Sequence, residues 1–291
     1  MPLFADAKGR EVETPDFAGP VADTHAHLDM LDDPGLALSR AARARVGFIA
    51  TVADASEDAA RTYDELPAWL ARAREELAVA GLQESALPHM RVILGVHPHN
   101  AKDFNAQVEV ELRRLAQHAL TSAIGEIGLD YHYDHSPRDV QREVFRHQLV
   151  LAHELHLPAV VHLREAHADG ESILREVGIP EAGCVLHCYN LGEEPLDRFL
   201  ALGCMASFAG PATFKKADEV RAAAASVPLE RMLTETDCPF MAPEPFRGRE
   251  NEPALVVFTA ARLAEARAES RADFAAATLA NALRILDRPR S

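Results

Sequence analysis

Eight short runs rich in Val, Ile and Leu, each followed by a longer stretch of helical periodicity, most limit what this chain can become. The runs are 21–28 (VADTHAHL), 46–53 (VGFIATVA), 91–97 (RVILGVH), 122–130 (SAIGEIGLD), 158–164 (PAVVHLR), 183–189 (GCVLHCY), 203–208 (GCMASF) and 231–237 (RMLTETD). Such alternation is the pattern of βα units around a parallel sheet. Eight units in 291 residues point to an α/β fold, a (β/α)8 TIM-like barrel, for which about 250 residues are typical. A doubly wound open sheet is the alternative, but no GxGxxG follows the first run to mark a dinucleotide site. Residues 1–20 are expected to form a leader or edge hairpin outside the barrel, and 21–291 a single barrel domain.

The helix after the fourth run is the clearest. Ser136 is placed to cap it, Pro137 suits its first turn, and Asp139 completes a capping-box-like start. Phe145, Leu149, Ala152 and Leu155 then share one face. The Ala-rich stretches 37–44 and 220–225 also read as helices. No apolar segment approaches the ~20 residues of a bilayer span, and the first twenty residues are polar, so neither anchor nor signal is expected and the cytoplasm is the expected compartment. The cysteines at 184, 188, 204 and 238 lie in or beside apolar runs and read as buried free thiols.

The chemically distinctive residues fall at the C-terminal ends of the runs, which in a barrel converge on the face where active sites are built. His25 and His27 close the first, His97 and His99 the third, and Glu126 lies in the fourth. His162 belongs to the fifth, His187 to the sixth and Asp237 to the eighth. Residues two apart on a strand share a face, so His25 and His27 point together into the mouth and offer two lone pairs to one cation. A single strand-end histidine is usually a hydrogen-bonded polar residue; the joint placement of His25, His27, Glu126, His162, His187 and Asp237 across five runs favours a metal site. A catalytic cation keeps positions open, so six ligands suit two cations sharing a carboxylate, with Glu126 the natural bridge. His118, His147, His153 and His156 read as solvated helix residues, and His132, His135 and His167 as loop residues.

Taken with "GVHPH", "GEIGLDY", "PAVVHLREA", "FAGPATFKKA" and "ETDCPFMAPEPFRGRENEP", the "DTHAHL" segment makes the chain resemble the TatD family of metal-dependent hydrolases, over about residues 21–287. The resemblance implies a TIM-like barrel and a divalent-cation-dependent deoxyribonuclease, often a 3′-to-5′ exonuclease, with single-stranded DNA ends as substrate. It places the metal ligands on His25, His27, Glu126, His162, His187 and Asp237. Its phosphate contacts fall on His97, His99, Arg164, Arg247 and Asn251. This chain departs from the usual family pattern after His162, where Leu163–Ala166 follow, and after His187, where Cys188–Leu191 follow. Those departures bear on substrate preference.

The reaction expected is phosphodiester hydrolysis by a hydroxide generated between two cations, with Asp237 positioning the nucleophile and taking its proton. The histidine ligands favour Zn, Mn, Co or Ni over Mg on softness, whereas the family commonly uses Mg. A net charge of −15 argues against a broad basic coat for nucleic acid. Lys102, Arg164, Lys215, Lys216, Arg247 and Arg249 all follow predicted strand ends, so a locally basic mouth on an acidic body is expected. Phe208, Phe214, Phe240 and Phe246, with Tyr131 and Tyr189, are candidates either for stacking on a base or for packing at the rim. Two alternatives stay open. The same metal pair can serve hydrolysis of a small-molecule amide, ester or lactone, or the protein can be a metal-loaded binding module. Neither a membrane nor an obligate protein partner is expected.

Overall fold

A computed structural model describes residues 3–6 and 8–287; the remainder of the expected 1–20 leader and 21–291 domain lies outside the described residues. The first strands, β1 (Phe4–Ala5) and β2 (Glu11–Val12), form an antiparallel hairpin in a sheet of their own. The eight expected runs then appear as β3 (Val21–Ala26), β4 (Val46–Asp54), β5 (His89–Gly95), β6 (Thr121–Asp130), β7 (Ala159–Arg164), β8 (Cys184–Leu186), β9 (Met205–Phe208) and β10 (Met232–Thr234). Each pairs in parallel with its neighbour in chain order. The seam between β10 and β3 closes through side chains and through backbone contacts just beyond β10. Thr24 Oγ1 donates to Thr234 O at 3.1 Å, Thr234 Oγ1 donates to Ala22 O at 2.8 Å, and an isolated bridge links Ala26 with Cys238. The fold is thus the expected barrel, not an open sheet.

The helices between strands are α1 (Pro34–Arg43), α2 (Ala59–Val79), α3 (Ala106–Leu115), α4 (Arg138–Glu154), α5 (His167–Val177), α6 (Glu193–Leu202) and α7 (Asp218–Ser226), with α8 (Val256–Ala266) and α9 (Arg271–Leu286) after β10. Among the described residues, no helix is long and apolar enough to cross a membrane. Alternation along the strands divides the core in two. Phe48, Ala50, Val52, Ile93, Ala123, Val160, Val185 and Leu233 pack together, and Ala282, Ile285 and Leu286 of α9 join them. Ile49, Ala53, Leu94, Ile124 and Val161 pack instead among helix residues such as Leu38, Phe145 and Leu149. Both strand faces are buried, which is why the runs read as continuous apolar segments.

The helical face expected in α4 is present over Phe145, Leu149 and Ala152, which are fully buried, whereas Leu155 lies one residue past the helix and is partly buried. Its start differs from expectation. Ser136 does not cap it, because its hydroxyl donates to His99 O at 2.7 Å and accepts from Lys102 N at 3.0 Å. Asp33 and Asn105 do cap α1 and α3, accepting from Leu36 N and from Gln107 N and Val108 N.

Gly128 in β6 has φ +141°, and a Cβ there would lie 2.0 Å from His162 O. The approach of β6 to β7 therefore requires glycine. Gly128→Ala is expected to destabilise the fold by about 3 kcal/mol or more, by adding an overlap to a strained backbone. Urea unfolding measures this as a lower midpoint; an unchanged midpoint would contradict the close approach.

Candidate metal centre

Local irregularities in the sheet aim the key side chains. Pairing of β3 with β4 slips between Asp23 and Ala26, around His25, and pairing of β6 with β7 slips between Ile124 and Ile127, around Glu126. Such slips re-aim a side chain that a regular pleat would direct elsewhere. β8 and β10 are shorter than the sequence runs suggest, ending at Leu186 and Thr234. His187 and Asp237 therefore lie beyond the ladder, where the chain bends over the mouth. Asp237 and Cys188 adopt φ values of 56° and 47°, left-handed conformations that hold strain beside the site. Asp237 N donates to His25 O at 2.9 Å, tying the two ends of the seam together.

Glu126 is the hub, and its two oxygens face different groups. Oε2 lies 3.1 Å from His25 Nε2 and 3.6 Å from His27 Nε2. Asp237 Oδ1 joins that side, 3.5 Å from His27 Nε2 and 3.9 Å from His25 Nε2. Oε1 lies 2.7 Å from His162 Nδ1, 2.8 Å from His187 Nε2 and 3.4 Å from His97 Nε2. His162 Nδ1 and His187 Nε2 are themselves 3.0 Å apart. At most one hydrogen fits between two ring nitrogens at that distance. Among the described residues, three overlapping groups of donors could each hold an ion: His25, His27 and Glu126; His25, His187 and Asp237; and His97, Glu126 and His162. Imidazole and carboxylate donors converging in a buried site fit a divalent transition metal. His97 thus stands among the candidate donors as well as at the mouth.

Burial pushes the Glu126 carboxyl up, but the imidazoles of His187, His97 and His25 outweigh it and hold the group well below the usual carboxylate range. Burial likewise opposes the charged form of His187, His162 and His27. The adjoining carboxylates prevail, raising His187 most strongly through Glu126 and Glu235. His97, against fewer acids, is driven down to about 4 by burial. The buried acids thus demand positive charge at this spot, which protons or cations can supply.

Two carboxylates behind the donors orient them. Glu235, fully buried, has Oε1 3.2 Å from His187 Nδ1 and accepts from Cys188 N at 2.6 Å. This contact holds Nδ1–H toward Glu235, so that Nε2 faces Glu126 and, once its proton is displaced, offers a lone pair to a cation there. Asp130 Oδ2 meets His99 Nε2 at 2.9 Å; it lies 3.4 Å from His162 Nε2, which makes no hydrogen bond among the described residues, while His162 Nδ1 is directed at Glu126. Behind these, α4 places two buried glutamines seven residues apart. The Gln148 amide accepts from Val96 N at 2.7 Å and donates to Val96 O at 3.0 Å; the Gln141 amide accepts from Asp130 N at 2.8 Å and donates to Asp130 O at 3.1 Å. The roles of Asp130, Gln141 and Gln148 were not assigned from sequence, although two glutamines within an apolar helix face are a readable signal. Glu235→Leu removes the acceptor for His187 and Cys188. It is expected to weaken metal affinity by about 10- to 100-fold, and titration of metal-free protein with Zn or Mn would show it; unchanged affinity would remove Glu235 from this role.

The mouth is a cavity of about 710 Å³ whose lining includes His27, His97, His99, Glu126, His162, Arg164, His187 and Asp237. Arg247 and Asn251 are not brought into it. The Arg247 guanidinium lies over the Phe214 ring at 4.4 Å. Asn251 is buried, its amide donating to Thr236 O at 2.8 Å and Phe240 O at 2.7 Å. The expected basic mouth is also corrected. Of the six cations placed there by sequence, Arg164 lines it, alongside Asp29, Asp54, Glu57 and Asp130. Lys102 instead donates to His135 O, and Arg249 reaches Ala5 O of the hairpin. Their flexible stems carry the charge outward to backbone acceptors. Among the aromatic candidates, Phe208, Phe246 and Tyr189 are buried and Phe240 is half exposed. Tyr131 donates to Asp169 at 2.6 Å.

Known proteins resemble this chain along most of its length. A family model described as TatD related DNase matches residues 22–287. The chain is 37% identical over 272 residues to the uncharacterized metal-dependent hydrolase YcfH of Escherichia coli K12, covering 91% of this chain and 95% of that one. It is 36% identical over 187 residues to the 3′-5′ ssDNA/RNA exonuclease TatD of Pantoea vagans, covering 62% of this chain and 72% of that one. The crystal structure of YjjV, a TatD homologue from E. coli K12, superposes with a TM-score of 0.77 at 28% identity, covering 92% of this chain and 98% of that one.

Proposed function

This chain belongs to the TatD-related DNase family of metal-dependent hydrolases, and we propose that it cleaves phosphodiester bonds at the ends of single-stranded DNA, in the 3′-to-5′ direction, with two divalent cations. The observation that carries the reading is the division of the Glu126 carboxylate, with Oε2 toward His25 and His27 and Oε1 toward His162 and His187. On this reading His25, His27, Glu126 and Asp237 hold one cation, and Glu126, His162 and His187 the other. Bound there, the cations supply Lewis-acid polarisation of the phosphoryl group and lower the pKa of the attacking water. Asp237 orients that water and accepts its proton at a carboxylate oxygen, from a backbone fixed by its hydrogen bond to His25 O. His97, His99 and Arg164 line the mouth and bind the phosphate oxygens, and the Arg164 guanidinium offsets charge that develops on them. The name of the Pantoea vagans relative, an ssDNA/RNA exonuclease, supports the substrate class. Four free cysteines fit a reducing cytoplasm as its place of work.

A second reading, hydrolysis of a small-molecule amide, ester or lactone, is favoured by the acidic residues at the mouth, which repel an extended polyanion. One experiment separates the two. Metal-free protein is reconstituted with Mg, Mn, Co, Ni or Zn and offered single-stranded DNA beside a panel of amides, esters and lactones. Release of mononucleotides supports the nuclease; turnover confined to the small-molecule panel replaces it with the second reading.

A further inference from the structure

Phe240, Met241 and Met30 line the mouth with 49%, 37% and 50% of their surfaces exposed. The fold builds that exposure in. Phe240 N donates to Asp237 O at 3.0 Å, and the buried Asn251 holds the same turn, donating from its amide to Phe240 O and from its backbone to Pro239 O. Gly210 presses so closely that a Cβ there would lie 1.9 Å from Met241 O. The loop is thus fixed from beneath with its apolar side chains turned to solvent, directly after Asp237. The Phe240 ring meets His27 edge to face, with centroids 6.0 Å apart. Arg164 stands elsewhere on the lining, its guanidinium 4.7 Å over the Tyr133 ring, which also stacks on His135. An apolar patch held open beside a catalytic carboxylate marks a ligand contact.

We propose that Phe240, Met241 and Met30 form the subsite for the base of the terminal nucleotide. The inference rests on the nuclease reading and deepens it: the phosphate lies toward His97 and Arg164 while the base stacks on Phe240. Stacking tolerates any base, since each has a π-face, and flexible methionines adjust to purine or pyrimidine.

The test uses metal-loaded protein and single-stranded oligonucleotides carrying, at one end or the other, either a normal nucleotide or an abasic tetrahydrofuran analogue. The wild type is expected to release the base-bearing end at least about 5-fold faster than the abasic end, from the strength of base–aromatic stacking. Phe240→Ala should bring the two rates to near parity, through a raised KM with metal content unchanged, while Phe240→Trp should keep the preference. Equal wild-type rates on both ends, or an equal slowing of both by Phe240→Ala, would overturn the subsite while leaving the nuclease intact. No nucleotide release from any strand with any of the cations would overturn the nuclease reading, and the subsite with it.

Discussion

Replacing Asp237 with Asn is expected to leave metal bound while lowering turnover by about 10²- to 10⁴-fold, the usual contribution of a positioned general base. The Asn side chain keeps an oxygen near the position of Asp237 Oδ1, 3.5 Å from His27 Nε2. Glu126, His25 and His27 remain to hold a cation. What disappears is a carboxylate able to take a proton. In the wild type, burial pushes the Asp237 carboxyl up, but His27, His187 and His25 more than offset it, so the group stays ionised and ready to accept. Elemental analysis and single-turnover rates on the same sample separate the two roles. Full activity in Asp237→Asn would refute the base; loss of metal in step with activity would make the residue a ligand first.

Glu126→Gln is expected to have the opposite signature, with metal lost before chemistry can be measured. The imidazoles of His25, His27, His97, His162 and His187 each approach one of its two oxygens, from His162 Nδ1 at 2.7 Å to His27 Nε2 at 3.6 Å. The amide replaces one acceptor oxygen with an NH₂ group aimed at ring nitrogens and removes the buried negative charge that balances a cation. Breaking a buried ionic partnership by removing one member costs about 3–5 kcal/mol, which corresponds to a loss of metal affinity of roughly 10²- to 10⁴-fold. Metal content after dialysis measures the outcome. A full complement of metal in Glu126→Gln would mean that the carboxylate is not the bridge.

The barrel was legible because strands buried on both faces cannot alternate, so the chain spells each as a continuous apolar run. Where a run stops was less legible. His187 and Asp237 follow strand residues without a change of composition, and the chain leaves the ladder at Leu186 and Thr234. The candidate ligands were legible from their shared placement at strand ends, whereas the residues that orient them were hidden. Asp130 and Glu235 read as further polar residues in runs already explained, and their function depends on which imidazole nitrogen each meets. Long cations misled for a related reason. Sequence places Lys102 and Arg249 after strand ends, but side-chain direction takes them to His135 O and Ala5 O. Asn251 sits within the stretch that resembles the family motif, yet its amide serves the backbone of the loop bearing Phe240.

The two glutamines of α4 give the site a ruler. Gln148 grips Val96, next to His97, and Gln141 grips Asp130, which meets His99 and faces His162. Seven residues of helix separate the grips, a rise of about 10 Å with both side chains on nearly the same face. The spacing between one lip of the mouth and the orienting acid of the next strand is thus measured by a rigid rod packed outside the barrel. One residue inserted between the grips would turn one of them by about 100°, and a pair of strand ends would lose its common gauge without any change at the ligands themselves.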